Sequence, residues 1–271
     1  MTNINPCLSS TEKMQAHRHL SRLPKGLHLV QITTDCPKHG LIVRQVVNII
    51  ADTARHVCPK CKAEQDEAES LARLAKQHAI KAKRSGITHY QPFNTWQASN
   101  ERMERILSFA QSYAQNPQGN LILSGTTGTG KTMLANLIAT ALIQANQNVL
   151  VIRSGQIGEQ VRASWSKHST VSEHELISSW INQDLLVIDE LGEADLSYNA
   201  EMQQTDRERL SRIIDGRYSK GLPTIITTNL TKELLTERLG DRAWDRLQQH
   251  AVFIAFNWQS YRQTHAKFVE I

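Results

Sequence analysis

The second half of the chain is ordered by five short apolar runs: LILS (121–124), VLVIR (149–153), LLVID (185–189), TIITT (224–228) and VFIAF (252–256). Helix-forming stretches alternate with them: 132–145, one from about Gln156, one running through Arg207 to Tyr218, and a short one over 232–239. A strand that is apolar at every position must be covered on both faces, and strands separated by helices pair in parallel. The pattern predicts an α/β fold, a parallel sheet with helices on both faces.

The first of these runs leads into Gly125-Thr126-Thr127-Gly128-Thr129-Gly130-Lys131-Thr132, which satisfies GxxxxGK[ST] between a strand and a helix, the context this motif requires. Glycines let successive backbone N–H groups turn inward on a phosphate, and the helix N-terminus adds partial positive charge. Lys131 then reaches the β- and γ-phosphates of ATP, and the Thr132 hydroxyl ligates Mg²⁺. Asp189 and Glu190 end the third run, at the same carboxyl edge of the sheet. There Asp189 holds magnesium through water, and Glu190 serves as general base for the attacking water. The fourth run ends Thr227-Thr228-Asn229, where the Asn229 amide can orient that water or, before a helix, act as a cap.

The first 90 residues have another character. Pro6, Pro24 and Pro37 interrupt the segment up to Gly40, which reads as loops and short elements, and LIVRQVVNII (41–50) reads as a strand or hairpin. Cys36-Pro37-Lys38-His39 and Cys58-Pro59-Lys60-Cys61 are two x₂-spaced pairs eighteen residues apart. Three thiolates and an imidazole make the tetrahedral shell of structural zinc, the intervening run folding as the hairpin that joins the pairs. Cys7, the fourth cysteine, is left as an ordinary thiol. A helix follows Cys61 and ends in Lys81, Lys83 and Arg84 before Gly86, and helical periodicity resumes over 95–115 with Trp96, Met103, Ile106, Leu107 and Ala110. The expected organisation is a zinc-binding adaptor with its connecting helix over 1–90 and an ATPase domain over 91–271.

Composition excludes other classes. With 40% apolar and 21% charged residues the chain is globular rather than disordered. It has no run near the roughly eighteen apolar residues a bilayer needs and no signal peptide, so no membrane partner and a cytoplasmic location are expected. The net charge of +5 suits a polyanion without requiring one.

From about Gly119 to Arg262 the chain resembles the DnaC-type helicase loaders and the IstB-like transposition helpers, within the AAA+ ATPases. The resemblance rests on GTTGTGKT (125–132), LLVIDELG (185–192), IIDGRYSKGLPTIITTN (213–229), LGDRAWDRL (239–247) and FNWQSYR (256–262), the last two resembling the DnaC group in particular. It implies an ATP-hydrolysing self-oligomer that binds a replicative hexameric helicase and places it on single-stranded DNA. On that resemblance Arg242 or Arg246 is the finger reaching a neighbour's ATP, and Arg262 contacts the chain's own nucleotide. Family members carry a DNA-lining helical element between the second and third strands, where Arg162, Trp165, Lys167 and His168 supply a stacking ring and cations; Ser197 and Tyr198 are further DNA-contact candidates. The zinc knuckle departs from the simplest DnaC pattern and resembles the N-terminal regions of some phage- or prophage-borne loaders. Two other readings stand beside this one: a transposition helper recruiting a transposase, and a zinc-bearing adaptor that uses ATP only as a switch.

Overall fold

A computed structural model describes residues 24, 26–192 and 200–261 of the 271. The chain divides into two compact units, Met1–Ala75 and Lys76–Ile271.

In the smaller unit β1 (Leu29–Cys36) and β2 (Gly40–Val47) form an antiparallel hairpin in register from Leu29↔Val47 to Cys36↔Gly40. The segment before Gly40, read from the sequence as loops and short elements, thus includes a regular eight-residue strand. LVQITTDC is β-branched and strictly alternating, and buries Ile32, Thr34 and Cys36 on one side. The hairpin also differs from the one expected inside 41–50. Its turn is the first cysteine–histidine pair itself, with Gly40 at φ 68°. After a 3₁₀ turn at Asn48–Ile50, the short helix α1 (Ala51–Arg55) leads to α2 (Pro59–Arg84), with Cys58 immediately before it and Cys61 in its first turn.

The larger unit begins in the last turns of α2, where His78 and Ala82 are buried and the Ser85 carbonyl accepts a hydrogen bond from Val151 N (2.6 Å). The helix expected over 95–115 starts later, as α3 (Glu101–Gln115), because Asn100 caps it by accepting from Met103 N (2.9 Å). Trp96 precedes that helix in extended backbone.

Five strands follow in parallel: β3 (Leu121–Gly125), β4 (Val149–Arg153), β5 (Leu185–Leu191), β6 (Thr224–Thr228) and β7 (Val252–Phe256), in the order β4-β5-β6-β3-β7. Alternation along β3, β4, β5 and β6 feeds two cores, while the edge strand β7 is covered on one face only, with Val252 and Phe253 exposed. Leu121, Leu123, Leu185, Val187 and Ile225 pack with α3 and α4 (Lys131–Gln144). Ile122, Leu186, Ile188 and Ile226 pack with α5 (Ser154–Ser164), α6 (Glu173–Ile181), α7 (Ala200–Ser219), α8 (Lys232–Leu239) and α9 (Asp241–Gln248). Each fully buried aliphatic side chain contributes about 1.5–3 kcal/mol. Among the described residues no helix is long and apolar enough to cross a membrane.

One charge lies inside this packing. Arg217 on α7 is 1% exposed, and its guanidinium donates to Thr224 Oγ1 (3.0 Å), to the carbonyls of Trp180 (3.2 Å), Ile181 (3.0 Å) and Gln183 (2.8 Å), and to Pro223 O. It thereby satisfies carbonyls left over where α6 ends and ties them to the start of β6. Burial pulls its pKa down to about 10, against the opposing pull of Tyr113 and Asp184. Arg217→Met keeps the stem and strips the donors. It should cost about 3 kcal/mol, measured as a lower urea midpoint of unfolding; an unchanged midpoint would show that those carbonyls do not depend on the guanidinium.

Candidate nucleotide and metal sites

The phosphate-binding loop leaves β3 at Gly125, where a Cβ would lie 2.3 Å from the Phe256 carbonyl of the adjacent strand, so only glycine fits. Gly128 and Gly130 take φ 82° and 98°, and Gly130 caps the N-terminus of α4. Thr126 and Thr127 are exposed on the loop, while the buried Thr129 hydroxyl donates to Thr126 O (2.8 Å). Distant parts of the chain brace the same loop. Trp258 Nε1 donates to Thr129 O (3.0 Å), Tyr261 N donates to Gly128 O (2.9 Å), and the Trp96 ring lies 3.4 Å from where a Gly130 Cβ would be. Lys131 Nζ spans the loop, donating to the carbonyls of Gly125 and Thr126, both at 2.7 Å. Burial draws the Lys131 pKa down, while Asp189 and Glu190 push it back up.

The strand order sets β6 between β3 and β5, which brings the predicted acidic pair to the loop. Asp189, 4% exposed, accepts on Oδ1 from the Thr132 hydroxyl (2.8 Å). It also accepts from the Thr227 hydroxyl (2.6 Å), a partner that the motif reading did not single out. Glu190 adopts φ 55°, its carboxylate exposed and 3.7 Å from Arg153 Nε, its carbonyl accepting from Ser154 Oγ (2.9 Å). Asn229 is exposed at the end of β6, its Oδ1 against Gly192, and the capping role falls instead to Thr231, which accepts from Leu234 N. The structure thus gathers the glycine loop, Lys131, Thr132, Asp189 and Glu190 at one sheet edge.

Arg242 and Arg246 both lie on α9 and both face Asp215 of α7, rather than the neighbouring Asp241 and Asp245. Arg246 pairs with Asp215 Oδ1 and lies over the Tyr218 ring at 5.4 Å, whereas Arg242 Nε is 3.4 Å from Oδ2 with its side chain 73% exposed. Arg262, Ser197 and Tyr198 lie outside the described residues. Of the other DNA candidates, Trp165 follows α5 and is 60% exposed. Its Nε1 donates to Glu173 Oε2 (3.0 Å), and the Arg209 guanidinium lies 5.4 Å from the ring centroid. Lys167 and His168 are exposed beside it, and Arg162 is half-buried.

In the smaller unit Cys36, His39, Cys58 and Cys61 present ligand atoms all within 4.8 Å of one another. Their separations include 3.5 Å between the sulfurs of Cys36 and Cys61, and 3.7, 3.5 and 3.3 Å from His39 Nδ1 to Cys36, Cys58 and Cys61. Tetrahedral ligands at zinc bond lengths lie about 3.4–3.8 Å apart, so this set fits zinc. Glu64, which spacing rules do not flag, accepts from His39 Nε2 (3.1 Å) and pairs with Lys38 (2.5 Å), holding the imidazole with Nδ1 toward the sulfurs. Burial opposes ionisation of Cys36, but the backbone N–H groups of His39 and Lys38, with the His39 and Cys61 side chains, outweigh it and bring the thiol down to about 6.

The comparisons with known proteins agree with this architecture. The replicative helicase loader DnaC of Escherichia coli K12 is 33% identical over 175 residues, 63% of this chain and 68% of the relative. The replicative helicase loader DnaC of Buchnera aphidicola subsp. Baizongia pistaciae is 30% identical over 214 residues, covering 74% and 83%. In fold, the crystal structure of the DnaC helicase loader superposes with a TM-score of 0.53 at 22% identity, over 62% of this chain and 98% of that one. The family model for IstB-like ATP binding proteins matches residues 53–268, and the chain belongs to that family, as an AAA+ protein of the DnaC type.

Proposed function

We propose that this protein is an ATP-hydrolysing loader that binds a replicative hexameric helicase and delivers it to single-stranded DNA. The observation that carries the catalytic half is the contact between the Thr132 hydroxyl and Asp189 beside Glu190, on a chain whose relatives are named helicase loaders. Backbone N–H groups of the glycine loop cradle the phosphates, and Lys131 exchanges its two carbonyl partners for phosphate oxygens. Thr132 and Asp189 hold Mg²⁺, which neutralises charge on the phosphates when bound. Glu190 takes the proton of the attacking water, and Asn229 orients that water.

Assembly enters through α9. A guanidinium delivered to a neighbour's ATP makes hydrolysis depend on oligomer formation. Arg242, more exposed and more loosely paired than Arg246, is the better placed of the two to reach across. Trp165, with Arg162, Lys167 and His168 around it, offers a stacking ring and cations for a single strand. Zinc held by Cys36, His39, Cys58 and Cys61 stabilises the smaller unit, where Leu41, Val43, Ile49 and Ile50 leave apolar surface exposed for a partner. Membership of a family described as IstB-like also supports a second reading, a transposition helper, which differs in the partner recruited.

Glu190→Gln should bind ATP as the wild type does and lose about a hundredfold or more in turnover, measured by phosphate release with helicase and single-stranded DNA present. Wild-type protein that never hydrolyses ATP in that assay would favour ATP as a switch only. Lys131→Ala should weaken nucleotide binding by about tenfold or more. For the metal, elemental analysis should find about one zinc per chain, and Cys58→Ser should lose it while nucleotide affinity is unchanged; purified protein without zinc would refute the knuckle.

A further inference from the structure

The pairing of β5 with β6 slips at one point. Ile188 pairs with Ile226 and Leu191 with Thr228, so Asp189 and Glu190 together face a single residue, Thr227. Two residues opposing one is a β-bulge, which bends its strand and re-aims side chains, and Glu190 within it has left-handed backbone (φ 55°) that a glutamate seldom adopts. Such a conformation persists only where its surroundings over-determine it.

We propose that Thr227 is the positioning residue of the nucleotide site, its hydroxyl setting the bulge that aims both Asp189 and Glu190. Thr227 is 1% exposed, so its hydroxyl bonds to protein rather than to bulk water. It donates to Asp189 Oδ1 (2.6 Å) and accepts from Glu190 N (2.9 Å). One oxygen therefore engages the magnesium-holding carboxylate and the backbone of the general base together. Asp189 Oδ1 has the Thr132 hydroxyl as its other donor, so the carboxylate is clamped between the phosphate loop and β6. The Ser154 hydroxyl holds the Glu190 carbonyl from the opposite side, at 2.9 Å. Thr227 touches neither nucleotide nor water in this scheme and acts through its two neighbours. The inference rests on the ATPase reading for its hydrolysis arm and on the loop alone for its metal arm.

Thr227→Val keeps shape and volume and deletes the hydroxyl, whereas Thr227→Ser keeps the hydroxyl and deletes the methyl. Loss of hydrogen bonds to a charged group and its neighbour should lower kcat of Thr227→Val by about tenfold or more while KM stays within about threefold. The Mg²⁺ concentration for half-maximal binding of a slowly hydrolysed ATP analogue should rise about threefold or more, and Thr227→Ser should stay within about twofold of wild type in both. Valine protein with unchanged kcat and Mg²⁺ dependence, or serine protein as impaired as the valine protein, would overturn the proposal. Should the valine variant not fold, Thr227→Ala against Thr227→Ser isolates the hydroxyl, and equal behaviour of that pair overturns it equally. If the wild type hydrolyses no ATP, the ATPase reading fails and the Mg²⁺ dependence still decides the role of Thr227.

Discussion

The structure of the nucleotide site depends on one carboxylate oxygen. Asp189 Oδ1 receives a hydroxyl from α4 and a hydroxyl from β6, and in doing so joins the phosphate loop, the acidic strand and the strand between them. The junction exists because the sheet is parallel and its order sets β6 between β3 and β5, so three carboxyl ends converge on one edge. Burial strengthens the electrostatic interactions there and makes an unsatisfied carboxylate unfavourable, a cost that the two hydroxyl donors offset.

Around that junction the loop is held by residues from far along the chain. Trp96 approaches Gly130 from before α3, while Trp258 and Tyr261 bind loop carbonyls from beyond β7. FNWQSYR is therefore more than a family marker, since it continues the strand whose Phe256 carbonyl forbids a side chain at Gly125 and then fastens Gly128 and Thr129. The conformation of the phosphate loop and the course of residues 257–261 are mechanically linked.

Much of this was legible in the sequence because it depends on local rules. Five apolar runs became the five strands of one parallel sheet, and alternation within the first four sorts their residues into the two cores, whereas the edge strand β7 buries Ile254 and Phe256 in one core and leaves Val252 and Phe253 exposed. GTTGTGKT and the DE pair met where strand-end geometry demands, and the two x₂ pairs closed on one another. What was not legible depends on pairing across the chain. Thr227 looked like one more β-branched strand residue until its register opposite a bulge was known. Glu64 lies three residues beyond Cys61 and joins the cysteine–histidine set only through the fold. Asp215, on which both arginines of α9 converge, sits among ordinary helix residues. The strand at Leu29–Cys36 was obscured by its proline-rich flanks, although its own alternation is regular.

On the proposed function, a zinc-stabilised unit and an AAA+ unit work on a hexameric helicase under the control of bound nucleotide. The measurement that tests it most directly is a pull-down of the native cytosolic proteins by this chain, in ATP and in ADP. Retention of a replicative hexameric helicase that is stronger with ATP than with ADP is the predicted result. Retention of a transposase in place of the helicase, or of a helicase equally in both nucleotides, would contradict the account.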